Sequence, residues 1–258
     1  VAPGSIADNL HSFYSESHIQ FEDDFTKEGP LTSEQRLGIV RDMFGFKVRI
    51  PLNMQTTLVA RKAFSRVGGG LFEEPFPDHY ALNSLLLTAP NWVFSPEKLL
   101  VVGVSPKSFG HYVYSNKQNS GLSYLGINTD FPGRLPGNEL LNGMHVWLDL
   151  LKHNYPVILK DIAIDRAGYV RRQFYAWLMQ RKLGAITTSS LLTNFGLLSP
   201  ADLLGLATTM FDKTSWARLQ RVLFQSSKKS GAETQWRSLR PLEGVDDIRQ
   251  FDEWLARR

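Results

Sequence analysis

The stretch from Gly68 to Gly110 constrains the fold more than any other part of the sequence. It begins with a Gly-rich turn, continues through the apolar run YALNSLLLTA and ends in LLVVGVSPKSFG. The first run has the length and apolar content of a helix. The run LLVVGV is short and apolar on both faces, which is typical of a strand buried within a sheet. A helix followed so closely by a buried strand predicts an α/β fold.

Asp78 is the leading catalytic candidate, because the sequence predicts that it begins this helix. Pro77 cannot continue a strand ladder, and the Asp78 carboxylate can accept hydrogen bonds from the next backbone amides. The helix dipole favours a negative charge at this position. A fixed, charged carboxylate at the rim of a cleft is suited to taking a proton from a hydroxyl group.

Four polar residues follow the predicted strand Leu99–Val104. In open α/β sheets, ligands bind beyond the carboxyl ends of the strands. This rule places near any bound substrate Ser105, Lys107, Ser108 and His111. The alternative is that SPKSFG forms only a tight turn with a solvent-exposed lysine, and the residues leave both interpretations open.

Between Pro51 and Gly110 the chain resembles family 2 glycosyltransferases of the GT-A fold. The resemblance rests on the order of three features: a small-residue turn, a Pro-Asp-aromatic helix start at PDHY, and a strand ending in GVSPKSFG. The segment PLNMQTTLVARKAF also resembles the strand and turn that precede the acceptor helix in that family. The resemblance implies a partial GT-A type mixed sheet with flanking helices, followed by a mainly α-helical C-terminal region.

The same resemblance implies an inverting glycosyltransferase. Such an enzyme transfers a sugar from a nucleotide-sugar donor to a hydroxyl of a glycan or lipid-linked acceptor, in cell-surface polysaccharide or glycoconjugate synthesis. Asp78 aligns with the second acid of the family's acidic pair and would act as the base. The residues implied to bind the acceptor beside it are Phe76, Pro77, His79 and Tyr80.

The resemblance also implies roles on the donor side. Lys107 would offset the charge that develops on the leaving diphosphate, and Ser108 would bind substrate beside it. His111 would contribute a contact to a divalent metal, Mn²⁺ or Mg²⁺, whose main ligands are expected outside this chain.

Three departures from the family pattern bear on these expectations. Pro77 occupies the place of the first acid of the pair, so Glu73 and Glu74 are the nearby substitutes if the register differs. The N-terminal nucleotide-binding half has too little room before Pro51. The run FEDDF is a metal motif or a solvated acidic turn; a metal needs convergent oxygen ligands, and no apolar strand precedes the run. We therefore expect the chain to be the C-terminal portion of a longer enzyme.

The composition is that of a folded chain. Its charge does not indicate a polyanionic partner. A hydrophobic content of 43% over 258 residues is ample for a core. Apolar runs are far shorter than the ~18 residues of a membrane span, and the absence of cysteine fits a cytoplasmic location. From Lys160 onward, 16 Lys and Arg face 10 acids, an excess more typical of a solvated surface than of a docking face. No nucleic-acid-binding motif is present, and we expect no nucleic-acid partner.

Differences in residue composition and apolar spacing divide the chain into three predicted regions. Residues 1–118 form the predicted acceptor-side part of a GT-A domain, 119–137 a linker or loop, and 138–258 a helical region. Thr32 and Gln35 have the spacing of a capping box for a helix that ends near Gly45. Helical spacing recurs in Glu139–Lys152, Asp165–Leu183, Pro200–Phe211, Ser215–Phe224 and Asp246–Arg257.

One apolar stripe in the helical region leaves two interpretations open. Its members are Val170, Phe174, Trp177 and Leu178, flanked by basic residues. The stripe either packs in the core, which aromatic residues at helical spacing usually do, or rests on a membrane surface. An alternative function is a non-catalytic interaction or membrane-docking module with a vestigial glycosyltransferase half, which Pro77 in place of the first acid and the missing metal motif favour. The expected location is cytoplasmic, or peripheral at the inner face of the membrane.

Overall fold

The computed structural model describes residues 28–47, 57–95, 129–182 and 184–209, together with residues 249, 250, 253 and 256. Within these ranges most residues are helical. The helices are α1 (Ser33–Phe44), α2 (Arg61–Phe64), α3 (Pro77–Thr88), α4 (Glu139–Asn154), α5 (Arg166–Lys182), α6 (Thr188–Phe195) and α7 (Pro200–Thr209). The strands are β1 (Gly29–Pro30) and β2 (Val93–Phe94).

The described part of the chain is α-rich, and its sheet differs from the predicted mixed sheet. Strands β1 and β2 pair antiparallel, with Gly29 opposite Phe94 and Pro30 opposite Val93. Each strand has two residues, and Pro30 has no amide hydrogen with which to extend the ladder. The predicted strand Leu99–Val104 lies outside the described residues, so a larger mixed sheet stays a prediction.

Helix α1 begins and ends as the sequence predicts. The Thr32 hydroxyl accepts from the Gln35 amide at 3.1 Å, and the Gln35 side chain accepts from the Thr32 amide at 2.8 Å. These two bonds satisfy two amides that the helix itself leaves without partners. Gly45 is the C-cap.

The C-terminus of α3 is held by a buried arginine of α1. Arg36 is 6% exposed, and its guanidinium donates to the carbonyls of Leu86 and Ala89 and to the Ser33 hydroxyl. A cation at this end of a helix complements the partial negative charge of the last carbonyls. The contact fixes α3 against α1 and thereby fixes the direction in which the start of α3 points.

One hydrophobic core unites helices from both sides of the predicted linker. The core contains Val40 and Phe44 of α1, Tyr80 of α3, Trp147 of α4 and Trp177 of α5. The described part of the linker, residues 129–137, is irregular as predicted. The three-region division itself stays a prediction.

Helix α5 packs its apolar stripe inside the protein. Val170 and Trp177 are both 0% exposed, and Phe174 packs against the core. Two hydrogen bonds to backbone carbonyls add to this packing. The Asp165 amide donates to the Phe44 carbonyl at 2.9 Å, and the Arg172 side chain donates to the Phe46 carbonyl at 2.8 Å. The core interpretation of the stripe is therefore confirmed, and the membrane interpretation of that stripe is wrong.

The remaining predicted helices vary in outcome. The predictions for α4, α5 and the start of α7 agree with the structure within two residues, whereas α6 was not predicted. The predicted helix Ser215–Phe224 lies outside the described residues, and the four described residues within Asp246–Arg257 are helical. Among the described helices, none has the length and apolar character needed to cross a membrane.

Candidate functional site

Asp78 lies in the first turn of α3 but does not cap it. The N-cap is Phe76, which makes no side-chain cap bond, and Pro77 is the first helical residue. Proline is favoured there because its fixed φ suits the helix and its missing amide hydrogen leaves no donor unsatisfied. The prediction that Asp78 begins the helix is therefore wrong by one residue. The Asp78 side chain is exposed on a helix whose next turn is buried.

The Gly-rich turn beside Asp78 is anchored by residues from α3, α4 and the chain just after α4. The Tyr80 hydroxyl donates to the Gly68 carbonyl at 3.1 Å and accepts from the Asn154 amide nitrogen at 2.7 Å. The Tyr155 hydroxyl accepts from the Gly68 amide at 2.9 Å. These bonds join the Gly-rich turn to the start of α3, which carries Asp78, and to the end of α4.

His79 is held between two aromatic side chains. Its ring stacks on Trp147 with centroids 6.1 Å apart and an interplanar angle of 9°, and it meets the edge of Phe76 at 6.0 Å. Burial lowers the pKa of His79, while the neighbouring Asp78 carboxylate acts in the opposite direction. The imidazole is therefore favoured in its neutral form.

The predicted acceptor-binding residues separate into two groups. Pro77 is exposed and His79 is partly exposed, so both lie within reach of a ligand beside Asp78. Phe76 and Tyr80 are 7% and 0% exposed. A buried ring presents no face to a sugar, so these two residues support the site from the core, and the expectation that they bind the acceptor is corrected. Burial also raises the pKa of Tyr80, against the effect of its bond to Asn154.

The substitute acids near Asp78 have different surroundings. Glu73 accepts from the Gly70 amide at 2.7 Å and so belongs to the turn. Glu74 is exposed. Ser105, Lys107, Ser108 and His111 lie outside the described residues, as does FEDDF. Within the described ranges, no group of three or more His, Asp or Glu side chains is arranged to hold a metal ion.

A buried polar network at the start of α4 was not predicted. Glu139 is 8% exposed, and its carboxylate accepts from Thr129, Arg134 and Asn142, each at 2.8 Å. Asn142 also accepts from the Tyr169 hydroxyl at 2.7 Å and from Gln173 at 2.8 Å. No local sequence pattern predicts this network, because it joins two stretches of the chain, residues 129–142 and residues 169–173, that meet only in the folded protein. Its donors and acceptors satisfy one another, which is typical of a structural network.

Comparison with known proteins adds no assignment. A scan against family models and searches of curated proteins and of solved structures found no match.

Two histidines predict how stability depends on pH. Burial lowers the pKa of both His79 and His145 below the usual value of about 6.5. Below that pH the unfolded chain binds more protons than the folded protein. We expect the free energy of unfolding to fall from pH 7 to pH 5, by at most about 1.4 kcal/mol per pH unit for each histidine. Urea unfolding at a series of pH values measures this slope.

The matched variants for this prediction are His79→Gln with His145→Gln, and His153→Gln. The double variant should flatten the slope, because it removes both groups that take up protons on unfolding. His153 is exposed, so His153→Gln controls for the general effect of a histidine-to-glutamine change. A double variant with the wild-type slope would contradict the assignment.

Proposed function

We propose that this chain carries the acceptor side of an inverting glycosyltransferase, with Asp78 as the general base. The observation that carries the proposal is the exposed Asp78 carboxylate on a buried support. Tyr80 and His79 fix the first turn of α3 through their contacts with Gly68 and Trp147, so the backbone at Asp78 has a defined position and the exposed carboxylate is accessible to a ligand. Catalytic groups need such support from surrounding residues.

The reaction balances as a single displacement. Asp78 takes the proton of an acceptor hydroxyl, and the hydroxyl oxygen forms a bond to the anomeric carbon of the donor sugar. The bond from that carbon to the diphosphate oxygen breaks, and the nucleoside diphosphate leaves. Pro77 and His79 would line the acceptor side. A divalent metal, with Lys107, Ser108 and His111, belongs to the proposal through the resemblance alone, so no step is assigned to these groups.

Replacement of one carboxylate tests the base. Asp78→Asn should lower the rate of nucleoside diphosphate release by about 100-fold, because general acid–base catalysis contributes at least that factor. Release is measured with a panel of nucleotide sugars and glycan or lipid-linked acceptors, while donor binding is measured separately and should persist. Near-normal turnover in Asp78→Asn would contradict the role of this residue.

Glu34→Gln is the matched control. Glu34 is an exposed acid in the first turn of α1, the second helical residue as Asp78 is in α3. Both substitutions remove one negative charge from the positive end of a helix dipole. A loss of turnover confined to Asp78→Asn therefore reports on chemistry at that site, and an equal loss in both variants would contradict the proposal.

The second candidate function is a non-catalytic interaction module. One observation favours it. Helices α6 and α7 expose several large apolar side chains, and exposed apolar side chains in such number are typical of a surface that binds a partner. Failure of every donor to release diphosphate, in the presence and absence of Mn²⁺, would favour this function over the first.

A further inference from the structure

Helices α6 and α7 carry an exposed apolar surface. It consists of Leu192, Phe195, Leu197, Leu203 and Leu204, which we call the α6–α7 surface. Leu192 and Leu204 are each 68% exposed, and Leu197 is 55% exposed. Single exposed apolar residues are ordinary, but five within thirteen consecutive positions are a concentration of exposed apolar side chains that points to an interaction site.

The segment that bears this surface is almost without charge. From residue 183 to residue 209 the sequence contains one ionisable side chain, Asp202. Asp202 is 7% exposed and accepts from Arg166 through both carboxylate oxygens, at 3.0 and 3.1 Å. The solvent-facing part of α6 and α7 therefore lacks charged side chains, which normally keep an exposed helix in water.

The α6–α7 surface is held in place by specific contacts. Phe195 meets Phe174 of α5 edge to face at 5.7 Å. The Ser199 hydroxyl accepts from the Asp202 amide at 3.1 Å at the start of α7, and Asp202 ties the same turn to Arg166. Helices α6 and α7 are therefore packed on α5, and their exposed apolar side chains have fixed positions on the surface.

Basic side chains border the surface. Arg181 is exposed at the end of α5, and its guanidinium donates to the Thr188 hydroxyl at 2.9 Å, at the start of α6. Lys182 follows it as the last residue of α5. This bordering charge is complementary to an anionic surface.

We propose that the α6–α7 surface docks on an anionic lipid bilayer. The leucines would enter the boundary between headgroups and acyl chains, a depth of about 5–10 Å, while Arg181 and Lys182 contact the headgroups. An anionic bilayer is complementary to uncharged leucines that are flanked by Arg181 and Lys182. This inference rests on α6 and α7, not on Asp78, and differs from the α5 stripe, which is buried.

Vesicle binding of the full chain tests the proposal. Sedimentation with vesicles of equal parts phosphatidylglycerol and phosphatidylcholine should show binding that weakens as salt is raised, because the headgroup attraction is screened. Binding to phosphatidylcholine alone should be at least about tenfold weaker, since Arg181 and Lys182 then lose their anionic partners. Equal binding to both vesicles, or none to either, would overturn the proposal.

Two matched variants separate the apolar contribution from general effects. Leu192→Gln with Leu204→Gln should weaken vesicle binding by at least about tenfold, because each leucine loses its favourable transfer from water. Val157→Gln is the control: Val157 is an apolar residue 81% exposed in the turn after α4, and its replacement should leave binding unchanged. Equal loss in both variants would overturn the assignment to α6 and α7.

Two further measurements control for unfolding of the variants and for self-association. Thermal unfolding should match the wild type in all variants, because every replaced side chain is exposed. Sedimentation velocity without vesicles distinguishes a bilayer from a second copy of the chain. A concentration-dependent dimer that the leucine variant abolishes, without vesicle binding by the wild type, would overturn the lipid proposal.

Discussion

Trp147→Ala is expected to lower the free energy of unfolding by about 3–5 kcal/mol. Trp147 is 1% exposed, lies at the centre of α4 and belongs to the core that joins α1, α3, α4 and α5. Removing the indole loses its transfer free energy and leaves a cavity that close-packed helices cannot fill completely. Because small domains are stable by only about 5–15 kcal/mol, this single change removes a large part of the total.

The same substitution affects the candidate site. His79 stacks on Trp147, and His79 neighbours Asp78. Without the indole, the first turn of α3 loses one of its two aromatic supports, so any activity that depends on Asp78 should fall even where the protein remains folded.

Urea unfolding measures the stability loss. Trp147→Phe keeps an aromatic ring and should cost clearly less than Trp147→Ala, which keeps the prediction testable if the alanine variant does not fold. Val157→Ala, at an exposed position, should stay within about 0.5 kcal/mol of the wild type. A loss below about 1 kcal/mol for Trp147→Ala would show that Trp147 is not the core residue that its burial indicates.

Gly137→Ala is expected to cost about 2–5 kcal/mol, from two separate causes. Gly137 has a φ of 134°, a backbone conformation that residues with a Cβ atom rarely adopt. A Cβ atom there would lie 2.6 Å from the Gln173 side-chain oxygen and 2.7 Å from the Trp177 indole nitrogen. Neither group can retreat freely, because Gln173 accepts from the Asn138 amide at 2.7 Å and Trp177 donates to the Pro136 carbonyl.

Gly184→Ala separates these causes. Gly184 has a φ of 75°, and a Cβ atom there would meet nothing within 4 Å. Its replacement therefore carries only the conformational cost, about 1–2 kcal/mol. Urea unfolding of both variants should show a larger loss for Gly137→Ala. Equal losses would mean that Gln173 and Trp177 adjust without penalty, contrary to the prediction.

The sequence predicted a secondary-structure element best where the interactions that form it involve only residues close together in the chain. The capping box needs only Thr32 and Gln35, and the bounds of α4 and α5 follow from apolar spacing. Helix α6 was missed because TSSLLTNF combines weak helix formers with no charged residue. It forms through the Thr187 hydroxyl, which accepts from the Ser190 amide at 3.0 Å, and through the contact of Phe195 with α5.

The candidate site illustrates what local patterns leave open. The exposed position of Asp78 near a helix start was predictable from PDHY, although the register was wrong by one residue because proline takes the first helical position. The burial of Phe76 and Tyr80 was not predictable, because it depends on α4, which begins about sixty residues later in the chain. An aromatic residue beside an acid has the same sequence signature whether it faces solvent or core.

The sequence by itself determined the helical character of the described C-terminal region, the limits of α1 and the presence of an acid at the start of α3. These depend on short-range hydrogen bonding and on periodicity, which act within a few residues. Only the tertiary structure decided that Trp147 supports His79 and that Tyr80 and Tyr155 anchor the Gly68 turn. It also decided that Leu192 of α6 and the pair Leu203 and Leu204 of α7 remain outside. Such outcomes depend on which helix faces cover one another, and burial of a side chain is a property of its neighbours in space.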